Sequence, residues 1–274
     1  MTMSHTETTL RAADGAALFA QRFAPPAAAT AEVLVLHGYA EHSGRYRELA
    51  EAFCAKGIAV VAVDLRGHGT SSGRRGYVKR FEEYHLDVDA ALTLVQGQKR
   101  FLLGHSAGGL VALDYVSSKK TPWAGLVITS PMLGLPASVP KAKILAGRIL
   151  GALLPTMTLP SGIDPNDLTH DRSIVEAYRS DPLVFTTASA GWFKAVQTAW
   201  ARLAARDRVE QPLLFAYAER DRVVSMAANA AFAERIQSPD KTVWRRDGEM
   251  HEILNETGRV KLHAEIADWI LKRA

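Results

Sequence analysis

Cysteine and long apolar runs are nearly absent from this chain of 274 residues. Cys54 is the single cysteine, which excludes a disulfide within the chain and leaves no cysteine-based zinc site. No apolar run reaches the length of about 20 residues that a membrane-spanning helix needs. The first ten residues are polar and lack the basic and apolar stretches of a secretory signal, so we expect a cytoplasmic protein.

A strong excess of one charge is also missing. The chain has 33 Lys and Arg against 29 Asp and Glu, which gives a net charge of +4, and no long basic block occurs. We therefore expect no nucleic-acid partner. The composition, 47% apolar and 23% charged, is that of a globular enzyme, and the length suits one large domain or a domain with an insertion.

Short apolar or β-branched runs alternate with helix-like segments along most of the chain. This alternation predicts an α/β fold with a mainly parallel sheet and helices on both faces. The pair Asp14 and Gly15, which favours a tight turn, predicts an opening hairpin of residues 8–12 and 17–23. A last helix is expected at about 260–272. The predicted parallel strands are 32–36, 58–63, 100–103, 124–129, 212–217 and 241–244.

The stretch that follows the strand 124–129 fits no strand-helix repeat and is too long for a bare loop. It contains an apolar helical face made by Ile144, Leu145, Ile149 and Leu150. We expect a mostly helical cap at residues 133–188, inserted between a first core segment, 1–132, and a second, 189–274. An extra core helix packed on the sheet would produce the same apolar pattern.

Residues 104–108, Gly-His-Ser-Ala-Gly, follow the apolar run 101–103 and place Ser106 between two glycines. This pattern is typical of a nucleophile elbow, a sharp turn from strand to helix that leaves no room for side chains two positions before and after the serine. A serine hydroxyl is a weak nucleophile alone. It needs a base that accepts its proton and a carboxylate that orients the base.

Asp221 and His251 are the expected partners of Ser106, because each follows a predicted strand and the order Ser, Asp, His suits a hydrolase triad. Two other interpretations of the acid remain open. Glu219 competes for the same role, and Asp221 would also serve as a cap for the helix that starts near Ser225. His263 follows Asp221 as well, but it lies inside the terminal helix pattern.

The backbone N–H groups of Tyr39 and Ala107 are the expected oxyanion donors. Ala107 follows the nucleophile, and Tyr39 lies in the loop after the first parallel strand. A simple strand end would also explain this loop. We assign Asp64 and Arg66, after the second parallel strand, a structural role in pinning loops near the elbow. The predicted chemistry requires no metal and no organic cofactor.

Five segments resemble the monoacylglycerol lipase and lysophospholipase branch of the serine α/β-hydrolases. The resemblance covers the chain from about residue 34 to its C-terminus. It implies the α/β-hydrolase fold, a mobile cap lined with apolar side chains, an acyl tunnel beneath the cap and a polar pocket for glycerol. By position, Glu41 and Arg45 would support this pocket, and an ordinary ion pair would explain them equally well. The segments are 37–46, 64–73, 104–109, 130–133 and 180–183.

Three positions depart from the family pattern. Ala107 stands where members often have Met, and Tyr39 is bulky where small residues are common, so it would narrow or reshape the entrance. Leu254 replaces a second histidine that some members carry three residues after the catalytic one. Selectivity for the head group is therefore the family property that the resemblance supports least for this chain.

The sequence predicts a serine hydrolase that cleaves monoacylglycerol into glycerol and fatty acid through an acyl-enzyme on Ser106. The acyl chain would lie against the apolar cap face. The same triad would serve a general carboxylesterase, a lysophospholipase, a thioesterase or, less readily, an aminopeptidase. A ligand receptor built on a hydrolase scaffold is the non-enzymatic alternative. The expected partner is a small lipid ester, and the cap face permits transient contact with a membrane surface.

Overall fold

An eight-stranded sheet forms the centre of the protein, for which the computed structural model describes residues 3–274 apart from the side chains of Lys141 and Lys143. The strands of this sheet are β1 (Ser4–Arg11), β2 (Ala17–Ala24), β3 (Ala31–Leu36), β4 (Ile58–Val63), β5 (Arg100–His105), β6 (Gly125–Thr129), β9 (Leu213–Ala218) and β10 (Lys241–Arg246). Their order is β1-β2-β4-β3-β5-β6-β9-β10. β2 pairs antiparallel with β1 and β4, and the remaining neighbours pair parallel.

Helices cover both faces of this sheet. They are α1 (Arg47–Ala55), α2 (Glu83–Leu92), α3 (Ala107–Ser118), α4 (Lys141–Leu153), α5 (Arg172–Ser180), α6 (Ala190–Ala204), α7 (Met226–Arg235) and α8 (Arg259–Leu271). Side chains of α1 and α8 form one core with alternate residues of the strands, and side chains of α2, α3, α6 and α7 form the other. Strands β3, β4, β5, β6 and β9 are buried along almost their whole length, as expected for parallel strands covered on two sides.

The fold class predicted from the sequence is confirmed. All six predicted parallel strands occur, with ends that differ by one or two residues, and the opening hairpin is β1 and β2. The apolar runs were informative because buried parallel strands need Val, Ile and Leu on both faces. Among residues 3–274, the structure contains no helix that is both long enough and apolar enough to span a bilayer.

The stretch 133–188 contains two helices, α4 and α5, and a small antiparallel sheet. The two strands of this sheet are β7 (Thr158–Pro160) and β8 (Thr187–Ser189). α4 packs along α6, where a side chain at Gly147 would collide with Phe193, so glycine permits the close approach. The proposed boundaries of a cap at 133 and 188 remain a prediction.

Asp64 joins the loop after β4 to the segment before α1. Its Oδ1 accepts a hydrogen bond of 2.7 Å from the Ser43 N–H, and its Oδ2 accepts one of 2.8 Å from the Thr70 N–H. The carboxylate is buried. The Arg66 guanidinium, two residues later, pairs with Asp87 and Asp14. These contacts support the structural role that the sequence suggested for Asp64 and Arg66.

Replacing Asp64 with alanine is expected to lower the free energy of unfolding by about 2 to 5 kcal/mol, because the buried N–H of Ser43 and the partly buried N–H of Thr70 lose their acceptor. Urea denaturation followed by circular dichroism measures this change. Asp247→Ala is the matched control, since Asp247 is 77% exposed, and its effect is expected to stay within about 1 kcal/mol. Equal denaturation midpoints for Asp64→Ala and the wild type would contradict the assignment.

Candidate active site

Ser106 lies at the turn between β5 and α3 with a strained backbone. Its φ is 52° and its ψ is −116°, a combination that non-glycine residues rarely adopt. The two glycines of the motif are required by the packing. A Cβ on Gly104 would lie 2.5 Å from the carbonyl oxygen of Gly108, and one on Gly108 would lie 2.2 Å from that of Leu36. The local geometry is that of a nucleophile elbow.

Ser106, His251 and Asp221 form a continuous hydrogen-bonded line. The Ser106 Oγ is 2.9 Å from the His251 Nε2, and the His251 Nδ1 is 2.7 Å from the Asp221 Oδ2. In the tautomer that suits both contacts, Nδ1–H donates to Asp221 and Nε2 accepts from the serine hydroxyl. The other carboxylate oxygen of Asp221 accepts from the N–H groups of Val223 and Val224, both at 2.9 Å.

The sheet brings these residues together because Asp221 follows β9 and His251 follows β10, at the edge where β5 delivers Ser106. Glu219 does not reach the histidine. It pairs instead with Arg245 and accepts from the Gly248 N–H. The cap of α7 is Ser225 itself, whose hydroxyl accepts from the Ala228 N–H. Neither alternative interpretation of the acid is therefore supported by the contacts.

The charges around His251 favour its protonated form. Burial lowers the pKa of His251, but the charge and the hydrogen bond of Asp221 outweigh burial and raise this pKa above its ordinary value. Burial raises the pKa of Asp221, and the charge of His251 with its hydrogen bond then brings it below the ordinary value. Such a pair stabilises an imidazolium that forms when the serine loses its proton.

His105 is a second imidazole beside the first, with ring centres 5.0 Å apart. Its Nδ1 lies 3.1 Å from the Thr129 hydroxyl. Burial, followed by the charge of His251, lowers the pKa of His105 to about 4. At neutral pH His105 is therefore uncharged, so it does not compete with His251 for a proton.

The predicted oxyanion loop lies against the nucleophile, since a Cβ on Gly38 would be 3.2 Å from the Ser106 Cβ. Within residues 3–274, the backbone N–H groups of Tyr39 and Ala107 have no hydrogen-bond acceptor. Ala107 is the first residue of α3, where an N–H points out of the helix end. Both groups are thus available to a ligand beside Ser106, and their role as oxyanion donors remains a proposal.

The bulky side chain of Tyr39 packs against the aromatic rings of Trp192 and Phe185. Its ring centre lies 3.8 Å from that of Trp192 and 5.4 Å from that of Phe185. Its hydroxyl is within hydrogen-bond distance of the carbonyl oxygens of Gly76 and Thr187, at 3.2 and 3.1 Å. Tyr39 therefore forms part of the cavity wall and joins the oxyanion loop to β8.

Glu41 and Arg45 belong to a buried charge cluster that also contains Glu252. The Arg45 Nη1 donates to Glu41 and, at 2.7 Å, to Glu252 Oε1, and its Nη2 donates at 2.7 Å to Glu252 Oε2. The Glu41 Oε1 accepts from the Gly38 N–H at 2.5 Å and from the Tyr46 hydroxyl at 2.9 Å. Burial raises the pKa of Glu41, but the charge of Arg45, with smaller contributions from neighbours, brings it down to about 2.

A cavity of about 180 Å³ opens in front of Ser106 and His251. Glu41, Glu252 and Tyr178 line it near the triad. The rest of its wall is mainly apolar, which suits an acyl chain. The apolar side chains are Met132, Leu135, Val139, Ile144, Leu159, Ile163, Leu168, Trp192, Phe193, Val223 and Val224.

The predicted apolar face of α4 divides between the cavity and solvent. Ile144 lines the cavity, whereas Leu145 and Ile149 are 57% and 51% exposed. Leu150 and Arg45 do not belong to the cavity wall. Helical spacing correctly placed the apolar residues on α4, but the stripe is wide enough to meet both the interior and the surface.

Glu252 and Tyr178 are cavity residues that sequence reasoning missed. Glu252 directly follows His251 in the chain, and this adjacency is the one sequence signal for a place of Glu252 in the site. Its partner Arg45 is 207 positions away along the chain, so no spacing pattern connects them. The Arg45 guanidinium lies 4.9 Å from the Tyr178 ring centre, a contact between α5 and the loop before α1 that spacing does not reveal either.

Comparisons with known proteins agree with this geometry. Residues 27–258 match the family model described as Hydrolase_4, serine aminopeptidase, S33. The chain is 34% identical to monoglyceride lipase of Mus musculus, over 95% of this chain and 89% of the relative. It is also 34% identical to phospholipase YtpA of Bacillus subtilis, over 84% and 90%.

Two further findings bear on the fold and on length. The structure of the monoacylglycerol lipase from Paleococcus ferrophilus superposes with a TM-score of 0.85, at 28% identity and full coverage of both chains. The chain spans 29% of a longer abhydrolase domain-containing protein of Dictyostelium discoideum, to which it is 33% identical. The α/β-hydrolase fold predicted from the sequence is thus confirmed.

The raised pKa of His251 predicts how turnover depends on pH. Only neutral imidazole accepts the serine proton, so kcat/KM is expected to fall as the pH drops through a midpoint above about 6.5. Asp221→Asn removes the charge that raises this pKa, so the midpoint moves to lower pH and kcat falls by about 10⁴. Initial rates on p-nitrophenyl butyrate between pH 5 and 9 measure both effects.

Glu219→Gln is the matched control for this experiment, because Glu219 lies on the same loop and contacts Arg245 rather than His251. Its profile is expected to overlay that of the wild type. A loss of turnover in Glu219→Gln with normal activity in Asp221→Asn would reverse the assignment of the acid.

Proposed function

Because the chain belongs to the serine aminopeptidase S33 family of α/β-hydrolases, we propose that it hydrolyses fatty-acid esters and that monoacylglycerols are its substrates. The observation that carries this proposal is the position of the Ser106 hydroxyl. It is hydrogen-bonded to His251 and opens onto a cavity that is apolar along most of its wall and polar near the triad. An ester with one long acyl chain and a small polar alcohol matches these two environments.

In the proposed mechanism, the Ser106 Oγ attacks the ester carbonyl carbon while its proton moves to His251 Nε2. Asp221 stabilises the imidazolium, and the N–H groups of Tyr39 and Ala107 donate to the oxyanion. The C–O bond of the ester then breaks, and the leaving alcohol takes the proton from His251. Water, deprotonated by His251, then attacks the acyl carbon. The bond between this carbon and the Ser106 Oγ breaks, His251 returns the proton to Ser106, and the fatty acid is released.

We further propose that residues 133–188 act as a cap over the acyl site. Ile144 of α4 and Leu159 of β7 line the same cavity as Ser106 and His251. Each CH₂ of an acyl chain buried there contributes at most about 0.8 kcal/mol. This arrangement supports a preference for medium or long chains.

The relative described as a phospholipase supports a second substrate class, esters whose alcohol carries a phosphate. A lysophospholipid has the same acyl end as a monoacylglycerol, so the apolar wall suits both. The difference between them lies at the polar end of the cavity.

Fatty-acid release from a 1-monoacylglycerol series is expected to depend on Ser106 and to rise with chain length. The gain in kcat/KM from acetyl to dodecanoyl is expected to be at most about fourfold per CH₂, because 0.8 kcal/mol corresponds to that factor. Ser106→Ala is the blank. Titration of the released acid measures the rate below the critical micelle concentration of each ester.

Other substrates decide between the alternatives in the same assay. Activity confined to small activated esters would indicate a general carboxylesterase, and cleavage of aminoacyl p-nitroanilides would indicate a peptidase. Ligand binding without Ser106-dependent turnover on any of these compounds would indicate a receptor instead of an enzyme.

We also propose that α4 contacts lipid surfaces during substrate uptake. Leu145, Ile149 and Leu153 recur every four residues on one side of this helix and are 57%, 51% and 73% exposed. An exposed apolar stripe of this kind gains free energy at a membrane interface. Ile144, which lines the cavity, lies on the same helix, so this proposal connects the exposed stripe with the proposed acyl site.

The double variant Leu145→Ser with Leu153→Ser is expected to bind phosphatidylcholine vesicles at least about fivefold more weakly than the wild type, since two apolar side chains leave the interface. Vesicle sedimentation measures the bound fraction. Val260→Ser is the control, because Val260 is 71% exposed but lies on α8. If both variants bind as the wild type does, α4 is not the contact surface.

A further inference from the structure

The polar end of the cavity carries two carboxylates and one guanidinium. Glu41 and Glu252 both line the cavity and are 3% and 4% exposed. Arg45 lies between them and contacts both, but it is not part of the cavity wall. A ligand in this cavity therefore faces the two acids and not the base that holds them.

The charges of this cluster do not cancel. Arg45 directs its Nη atoms to Glu252 in a two-point contact and shares Nη1 with Glu41. One positive charge is thus distributed over two negative charges, which leaves a net charge of −1. Asn255, Tyr46 and the Gly38 N–H complete the contacts of the carboxylates as neutral hydrogen-bond donors. Both carboxylates line the cavity, so a ligand there meets this net negative charge.

The alcohol part of an ester must lie close to this excess charge. His251 Nε2 is the atom that returns a proton to the leaving alcohol oxygen, so the head group lies on the His251 side of the reacting carbon. Glu252 is the next residue in the chain, and its charge and that of Glu41 both act on His251. A head group bound there meets the two carboxylates at short range.

We propose that Glu252, together with Glu41, determines head-group specificity by admitting uncharged polyol alcohols and rejecting alcohols that carry phosphate. This inference rests on the proposed function and selects between the two substrate classes named there. Hydroxyl groups of a polyol donate to carboxylate oxygens, which retain free lone pairs. A phosphate offers only acceptors and negative charge. At a few ångströms in a partly buried site, repulsion between like charges corresponds to about ten- to a hundredfold in affinity.

The test compares three esters with the same dodecanoyl chain. They are 1-dodecanoylglycerol, its 3-phosphate, and its 3-O-isopropyl ether, which is uncharged and similar in size to the phosphate. In the wild type, kcat/KM is expected to be at least about tenfold higher for 1-dodecanoylglycerol than for the phosphate. The isopropyl ether is expected to lie much nearer the glycerol ester, since charge and not size is the basis of selection.

Glu252→Gln keeps the shape of the side chain and removes one charge. We expect the preference for 1-dodecanoylglycerol over its phosphate to fall by about tenfold in this variant, whatever happens to the absolute rates. Asp247→Asn removes a charge from the same loop at a site 77% exposed and is expected to leave the ratio unchanged. A purely structural role of Glu252 would lower all rates together and leave the ratio as it is.

Three results would overturn the inference. The first is cleavage of the phosphate and the glycerol ester at rates within about threefold, and the second is a wild-type ratio in Glu252→Gln. Rejection of the isopropyl ether as strongly as the phosphate would also overturn it, because size would then explain the selection. The wild-type comparison needs no variant, so the inference stays testable if Glu252→Gln does not fold.

Failure of the proposed function has a different signature. The wild type would then cleave p-nitrophenyl dodecanoate but not 1-dodecanoylglycerol. In that case, inhibition of p-nitrophenyl dodecanoate cleavage by 1-O-dodecylglycerol and by its phosphate decides the inference. Weaker inhibition by the phosphate supports charge selection at Glu41 and Glu252, and equal or stronger inhibition overturns it.

Discussion

The backbone of Ser106 is the constraint on which the site depends. A non-glycine residue at a φ of 52° costs about 1 to 3 kcal/mol, so the surrounding structure must hold it there. The Ser106 N–H donates to the Thr129 carbonyl of β6, and its own carbonyl accepts from Leu110 and Met132. The Ser106 backbone is thus hydrogen-bonded to strand β6, to helix α3 and to the loop after β6. The strained turn leaves the hydroxyl exposed to the cavity at the carboxyl edge of the sheet, where the loops after β9 and β10 bring Asp221 and His251.

Most of the fold could be predicted because the relevant signals are local. Buried parallel strands must be apolar along their length, and β3, β4 and β5 show this directly in the sequence. The sequence identifies Ser106 from two glycines at positions where any side chain would collide with the backbone. It identifies Asp221 and His251 from their order in the chain and from the strands that they follow. The inward residue of α4 could not be chosen in advance. Ile144 and Leu145 are neighbours on one apolar stripe, and only the packing against α6 and the cavity separates them.

The charged part of the site was less predictable for a physical reason. Burying a carboxylate is costly unless a positively charged partner compensates it. The partner of Glu252 is Arg45, which lies 207 positions earlier in the chain. The sequence shows Glu41 and Arg45 four residues apart, which a surface ion pair explains equally well. The tertiary structure shows that this pair is buried and is not a surface ion pair. Once Glu252 joins it, the cluster is buried, carries an excess negative charge and connects the loop of His251 to the N–H of Gly38.

Three contacts join the loop that carries Tyr39 to residues 181–189. The Tyr39 hydroxyl contacts the Thr187 carbonyl, the Phe185 N–H donates to the Ala40 carbonyl, and the His42 Nε2 lies 2.8 Å from the Asp181 carboxylate. Displacing this segment would break these bonds and disturb the loop that carries the Tyr39 N–H. α4 differs, since much of its apolar side faces solvent and its packing is chiefly against α6. Two segments near the cavity are therefore held differently. Residues 181–189 are bonded to the loop that carries Tyr39, whereas α4 packs mainly against α6. An adjustment of α4 would therefore leave these three contacts in place, whereas an adjustment of residues 181–189 would break them.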